Sequence, residues 1–141
     1  MNNNLNKQSI RLALIAAAGF ALATSAWAKK FALTAAHAVP AAAGTVDTHL
    51  DKNGNTDVDI KVHHLAHPAN LTPPATTYVV WFRQPGSAPQ NEGELKVDAK
   101  LEVELKTETQ WKSFELMITA ENNPATESPS GDQVLSTRIQ G

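Results

Sequence analysis

The sequence predicts an all-β fold: an antiparallel β-sandwich of immunoglobulin-like architecture, with about seven strands, preceded by an N-terminal signal helix. Three observations predict it. From Gly44 onward apolar and polar residues alternate with a period of two, the spacing of a strand with one face buried and one wet. Turn residues interrupt that alternation at regular intervals, as short strands in a sandwich require. One run, Tyr78-Val-Val-Trp-Phe82, is apolar on both faces, which suits a central strand covered on both sides.

The elements follow in order. Residues 1–28 carry Lys7 and Arg11, twelve apolar residues from Leu12 to Ala23, then Ala26-Trp27-Ala28 ahead of Lys29-Lys30. This is the order of a secretory signal, with Ala26 and Ala28 at the positions that signal peptidase reads. A twelve-residue helix spans about 18 Å, short of the roughly 30 Å hydrocarbon core. The expected product is extracytoplasmic, periplasmic or secreted. The alternative is retention of the segment as an inner-membrane anchor. Cutting after Ala28 leaves ten basic residues against fourteen acidic ones, a charge of −4. That balance offers no basic field to nucleic acid. Cysteine is absent, which excludes disulfides, thiolate metal sites, thiol nucleophiles and a lipidated cysteine.

Residues 29–43 are Ala-rich, with Pro40 near their end, and read as a flexible lead-in to a domain over 44–141. The hairpin signal comes next. Thr45–Leu50 alternates, Asn53-Gly54 supplies residues that tolerate positive φ, and Val58, Ile60 and Val62 alternate with Asp57, Asp59 and Lys61. Prolines at 68, 73 and 74 mark a loop before the apolar strand at 78–82. Gln84 to Asn91 is a turn-rich loop. Leu95 and Val97, then Leu101, Val103 and Leu105 after a tight connection at 98–100, then Phe114, Leu116 and Ile118 continue the strand pattern. Glu121 to Asp132 is a long polar loop, and Val134, Leu135 and Ile139 make a final, weaker strand.

The segments Tyr78-Val-Val-Trp81, Gly93-Glu-Leu-Lys-Val-Asp98, Phe114-Glu-Leu-Met-Ile-Thr-Ala-Glu121 and Pro129-Ser-Gly-Asp-Gln-Val-Leu135 together resemble the extracytoplasmic C-terminal domain of anti-sigma-K-type factors. The resemblance covers about half the chain and implies a β-sandwich on the outer side of the membrane. Members of that family carry a cytoplasmic helical domain that binds a sigma factor, then a membrane-spanning helix. Only a short polar stretch precedes the signal here, so no direct sigma-factor binding is expected.

Candidate sites are few. Asp51, Asn53, Asn55 and Asp57 place oxygen atoms at alternate positions, as a calcium loop does, but Thr56 and Val62 stand where an EF-hand needs Gly and Glu. His49, His63, His64 and His67 are the main histidine concentration, yet neighbours 63 and 64 in a strand face opposite ways. No metal and no cofactor are therefore expected. Glu92, Glu94, Glu102 and Glu104 fall on the wet phase of alternating strands, not in the paired arrangement of glycoside hydrolysis. Asn70-Leu-Thr72 matches a glycosylation acceptor but reads as a loop. No catalytic residue is assigned. If successive strands alternate in direction, the loops at 51–56, 84–91 and 107–113 share one end. That end presents Asn53, Asn55, Gln84, Gln90, Asn91, Gln110 and Trp111, amides around one aromatic, suited to an envelope protein or a glycan. Trp111 is more simply explained as a cap over the end of the core, whereas Trp81 belongs to the core itself. The function expected is that of a non-enzymatic binding or structural module of the bacterial cell envelope; the alternative is an anchored sensory or regulatory domain.

Overall fold

A computed structural model of the chain describes residues 28–141. The expected signal segment, Ala26 included, lies outside the described residues. Among the described residues the fold is all-β, with nine strands in two antiparallel sheets. The strands are β1 (Lys29–Ala32), β2 (Thr34–Ala35), β3 (Ala43–Leu50), β4 (Thr56–His63), β5 (Thr77–Arg83), β6 (Gln90–Leu95), β7 (Val103–Thr109), β8 (Phe114–Glu121) and β9 (Gln133–Ile139). The first sheet runs β1-β3-β4-β7 and the second β2-β9-β8-β5-β6.

Nine strands replace the seven expected, and both additions fall in the Ala-rich segment read as a lead-in. β1 pairs with β3, Lys29 opposite Thr48 through Ala32 opposite Thr45. Leu33 then turns inward, 8% exposed, with its N–H on the Gly44 carbonyl at 2.9 Å. β2 continues into the second sheet, Thr34 opposite Ser136. One run of chain thus borders both sheets and closes that side of the sandwich. Phe31, Leu33 and Ala35 do alternate towards the core. The alternation was masked by alanine, the best helix former, whose methyl gives little contrast between a buried and a wet face.

Elsewhere the period-two reading matches the burial. Val58, Ile60 and Val62 are buried while Asp57, Asp59 and Lys61 look outward. The β3–β4 turn is closed by Asp51, whose Oδ1 accepts the N–H groups of Asn53 and Asn55, both at 2.8 Å, with Gly54 at φ +83°. A side-chain oxygen filling backbone donors two and four residues on is how Asp stabilises a turn. The connection at 98–101 uses the same device on Asp98, but it carries the chain from β6 in the second sheet to β7 in the first. Leu101, expected in a strand, sits in that turn at φ +61°.

The main core lies between the sheets: Val46, Ile60 and Val62 from the first meet Tyr78, Phe82, Leu116, Ile118 and Leu135 from the second. The Phe82 and Phe114 rings pack with centroids 4.4 Å apart. The Tyr78 hydroxyl is satisfied by donating to the Ala66 carbonyl at 2.7 Å, and burial pushes its pKa up to about 12.

Candidate functional site

The strand registers set which loops are neighbours. Thr56 stands opposite Thr109, Arg83 opposite Glu115, Phe82 opposite Gln90, and Phe114 opposite Ile139. The turns 51–55, 84–89 and 110–113 therefore lie at one end of the molecule. Gln90 and Asn91 belong to β6 rather than to the loop before it.

Several of the amides at that end are tied down. Asn53 Nδ2 donates to Asp51 Oδ2 at 3.4 Å, and Asn55 Nδ2 donates to Glu108 Oε1. Asn91 Nδ2 donates to the carbonyls of Pro124 and Thr126, both at 2.9 Å, while its Oδ1 accepts the Gly93 N–H. Gln84, Gln90 and Gln110 make no side-chain hydrogen bond among the described residues. Trp111 is partly buried and rests against the main core, with its backbone N–H donating to Thr109 Oγ1 at 3.3 Å. An indole in this position seals the core's end and leaves one edge in water.

The histidines do not converge. His49 Nδ1 lies 3.5 Å from Asp57 and His63 Nδ1 lies 3.4 Å from Glu102, at opposite ends of β4. No group of three His, Cys, Asp or Glu side chains among the described residues could hold a metal ion. Asp51, first in the calcium-like stretch, has its oxygens occupied by its own turn.

Thr77 through Phe82 are all buried. Val79 and Trp81 do not belong to the main core; with Met117 they form a second buried cluster on the sheet's outer face. Trp81, expected in the core, is fully buried, but in this separate cluster. The topology identifies its cover. In the second sheet β5 lies between β8 and β6. The loop leaving β8 reaches Asn91 on β6 through the Pro124 and Thr126 carbonyls, so it must cross β5 on the face away from the core. Asn91 stands opposite Trp81. Residues 122–132 are thus a strap across the Trp81 strand.

The strap returns to Glu121, which is 1% exposed. Glu121 Oε1 accepts from Thr119 Oγ1, from the Ser130 N–H at 3.0 Å and from the Gly131 N–H at 3.3 Å. Its Oε2 accepts from Ser130 Oγ. Trp81 Nε1 donates to Thr119 Oγ1 at 2.8 Å, which joins the indole to the same network. Burial pushes the Glu121 carboxyl up, but the hydrogen bonds from Ser130, Thr119 and Gly131 outweigh it and hold the group below the usual glutamate range. Gly131 has no substitute here. A β-carbon on it would lie 1.6 Å from the Ala120 carbonyl oxygen, and Ala120 N–H donates to the Asp132 carbonyl at 3.0 Å.

Beside this network, at the end away from Trp111, is a cleft of about 210 Å³. Leu71, Pro73 and Val134 give it an apolar wall, and Glu121, Ser130 and Asp132 a polar one; none of its lining residues is basic. None of these three polar residues is among the site residues expected from the sequence. The available signal was Glu121 itself, a carboxylate ending the apolar strand Phe114–Glu121 with Ser130-Gly131 shortly after it. Compared with known proteins, the chain matches no family model and no curated protein.

Proposed function

We propose that the protein is an exported, non-enzymatic β-sandwich of immunoglobulin-like architecture that serves as a binding or structural module of the bacterial cell envelope. The observation that carries the reading is where the folded strands begin. β1 starts at Lys29, the residue that follows the expected cut after Ala28, so removal of the signal leaves every described strand whole. The immunoglobulin-like description is supported by the path of the chain, since β4 to β5, β6 to β7 and β7 to β8 each pass from one sheet to the other. The resemblance of residues 78–135 to the outer domain of anti-sigma-K-type factors favours a second reading, a sensory or regulatory domain held to the inner membrane by an uncut N-terminal helix. Mass spectrometry of the protein from an envelope fraction separates the two. The first reading expects a chain beginning at Lys29 in the periplasm or medium. A membrane-bound product that retains its N-terminus removes it in favour of the second.

A further inference from the structure

We infer that the Trp111 end of the sandwich is a docking surface for an anionic phospholipid leaflet. The inference rests on the envelope reading and gives that module a side that faces the membrane.

Charge is the first observation. By the strand registers this end comprises Lys29 and residues 48–57, 83–89, 108–115 and 138–141. It carries five basic and four acidic side chains, whereas the rest of the cut chain carries five basic and ten acidic ones. The molecule is therefore polarised, and this is the end that approaches a negative surface without net repulsion. Arg83 is held by Glu115. Lys29, Lys52, Lys112 and Arg138 are exposed and form no ion pair among the described residues.

The second observation is apolar surface among those cations. Leu50 is 46% exposed, and no other large apolar side chain among the described residues stands out so far. It lies opposite Thr56, and Thr56 lies opposite Thr109, two residues before Trp111. The headgroup region of a bilayer accepts an indole edge, and the acyl boundary below it accepts a leucine. A soluble anionic glycan matches the charge but offers Leu50 no hydrocarbon.

The third observation is where the chain enters the fold. β1 begins at Lys29, opposite Thr48, so the preceding residues join the domain at this end. Residues 24–28 alone separate Lys29 from Ala23, the last of the apolar run, a span of about 20 Å at full extension. While that run sits in a bilayer, this end is the one held beside the headgroups.

The probe is a vesicle of phosphatidylglycerol and phosphatidylcholine in equal parts, mixed with the exported protein cut after Ala28. Co-sedimentation measures binding. Tryptophan emission should shift to the blue on binding, and the shift should vanish in Trp111→Phe, because Trp81 is fully buried in either state. Lys52→Gln, Lys112→Gln and Arg138→Gln together should weaken binding on the order of a hundredfold, since each cation near an anionic leaflet is worth about fivefold. Leu50→Ala should cost about fivefold through lost apolar contact. Lys100→Gln should change nothing: Lys100 is also exposed and without an ion pair among the described residues, but it sits in the 98–101 turn at the opposite end. Salt at about 1 M, where the Debye length is near 3 Å, should remove most of the binding. Equal binding to pure phosphatidylcholine, equal loss from Lys100→Gln, or no binding to the anionic vesicle would overturn the inference. So would polygalacturonate binding as tightly at equal charge with no effect of Leu50→Ala, which would put a glycan in the lipid's place. A protein that is exported and cut but ignores the vesicles would lose this surface and keep the envelope reading; one that binds them through these residues without being exported would do the reverse.

Discussion

Gly131→Ala is the sharpest perturbation the fold offers. The new β-carbon would stand 1.6 Å from the Ala120 carbonyl oxygen, less than half a normal contact, so backbone must move by more than an ångström. Three bonds lie in the path of that movement: Gly131 N–H and Ser130 N–H to the ionised Glu121, and Ala120 N–H to the Asp132 carbonyl. A hydrogen bond to a charged group is worth about 1.5–3 kcal/mol and a neutral one about 0.5–1.5. Losing about half of their combined worth, with the rest rescued by water and relaxation, gives roughly 2–4 kcal/mol of destabilisation. The main core is untouched, so the variant should still fold. The assay has two readings. Urea denaturation measures the loss, and acrylamide quenching of Trp81, made the sole tryptophan of the cut chain by Trp111→Phe, reports the strap. Quenching should rise well below the unfolding midpoint, because the lifted segment is what covers the indole. Unchanged stability with unchanged quenching would refute the reasoning, since it would mean that residues 122–132 do not press on β8 and do not shield Trp81.

The two tryptophans of the cut chain should respond differently to truncation. Trp81→Ala empties a fully buried site and should cost about 3–5 kcal/mol. Trp111→Ala should cost roughly 1–2 kcal/mol because part of its ring is already in water, and equal losses at the two positions would contradict the burial described. Alkaline stability should depend on Tyr78. Its hydroxyl keeps its proton in the fold to about pH 12 against an ordinary value of 10.0, so its contribution is whole below pH 10 and is lost as pH rises towards 12. That loss is about 3 kcal/mol. Urea midpoints measured between pH 9 and 12 should fall less steeply in Tyr78→Phe than in the parent, and identical slopes would refute the assignment.

The contrast between Trp81 and its strap shows which parts of this fold sequence pattern can carry. Alternation marks Val58, Ile60 and Val62 because a one-residue slip would send all three into water. Asn53-Gly54 marks a turn because few residues accept positive φ. The run Tyr78–Phe82 announced that both faces of β5 are covered, and all five residues are buried. Its second cover could not be named in the same way. The strap is polar, and it is held through the backbone N–H groups of Ser130 and Gly131 and the carbonyls of Pro124 and Thr126. Every residue but proline carries both groups, so no composition betrays them. The residues that receive them do leave a trace: an amide at Asn91 and a carboxylate at Glu121, each ending or bordering an apolar strand. Asn91, by sequence one of several amides offered to a ligand, has its side chain bound instead to two strap carbonyls and its own turn. Glu121, by sequence the start of a loop, is the point to which that loop returns. The Ala-rich start failed for a related reason. Phe31, Leu33 and Ala35 follow the strand period, but only two of them are large enough to stand out against the alanines between them. A polar or small residue is thus ambiguous in this chain until its partner is known, whereas the branched apolar run Val58, Ile60 and Val62 is not.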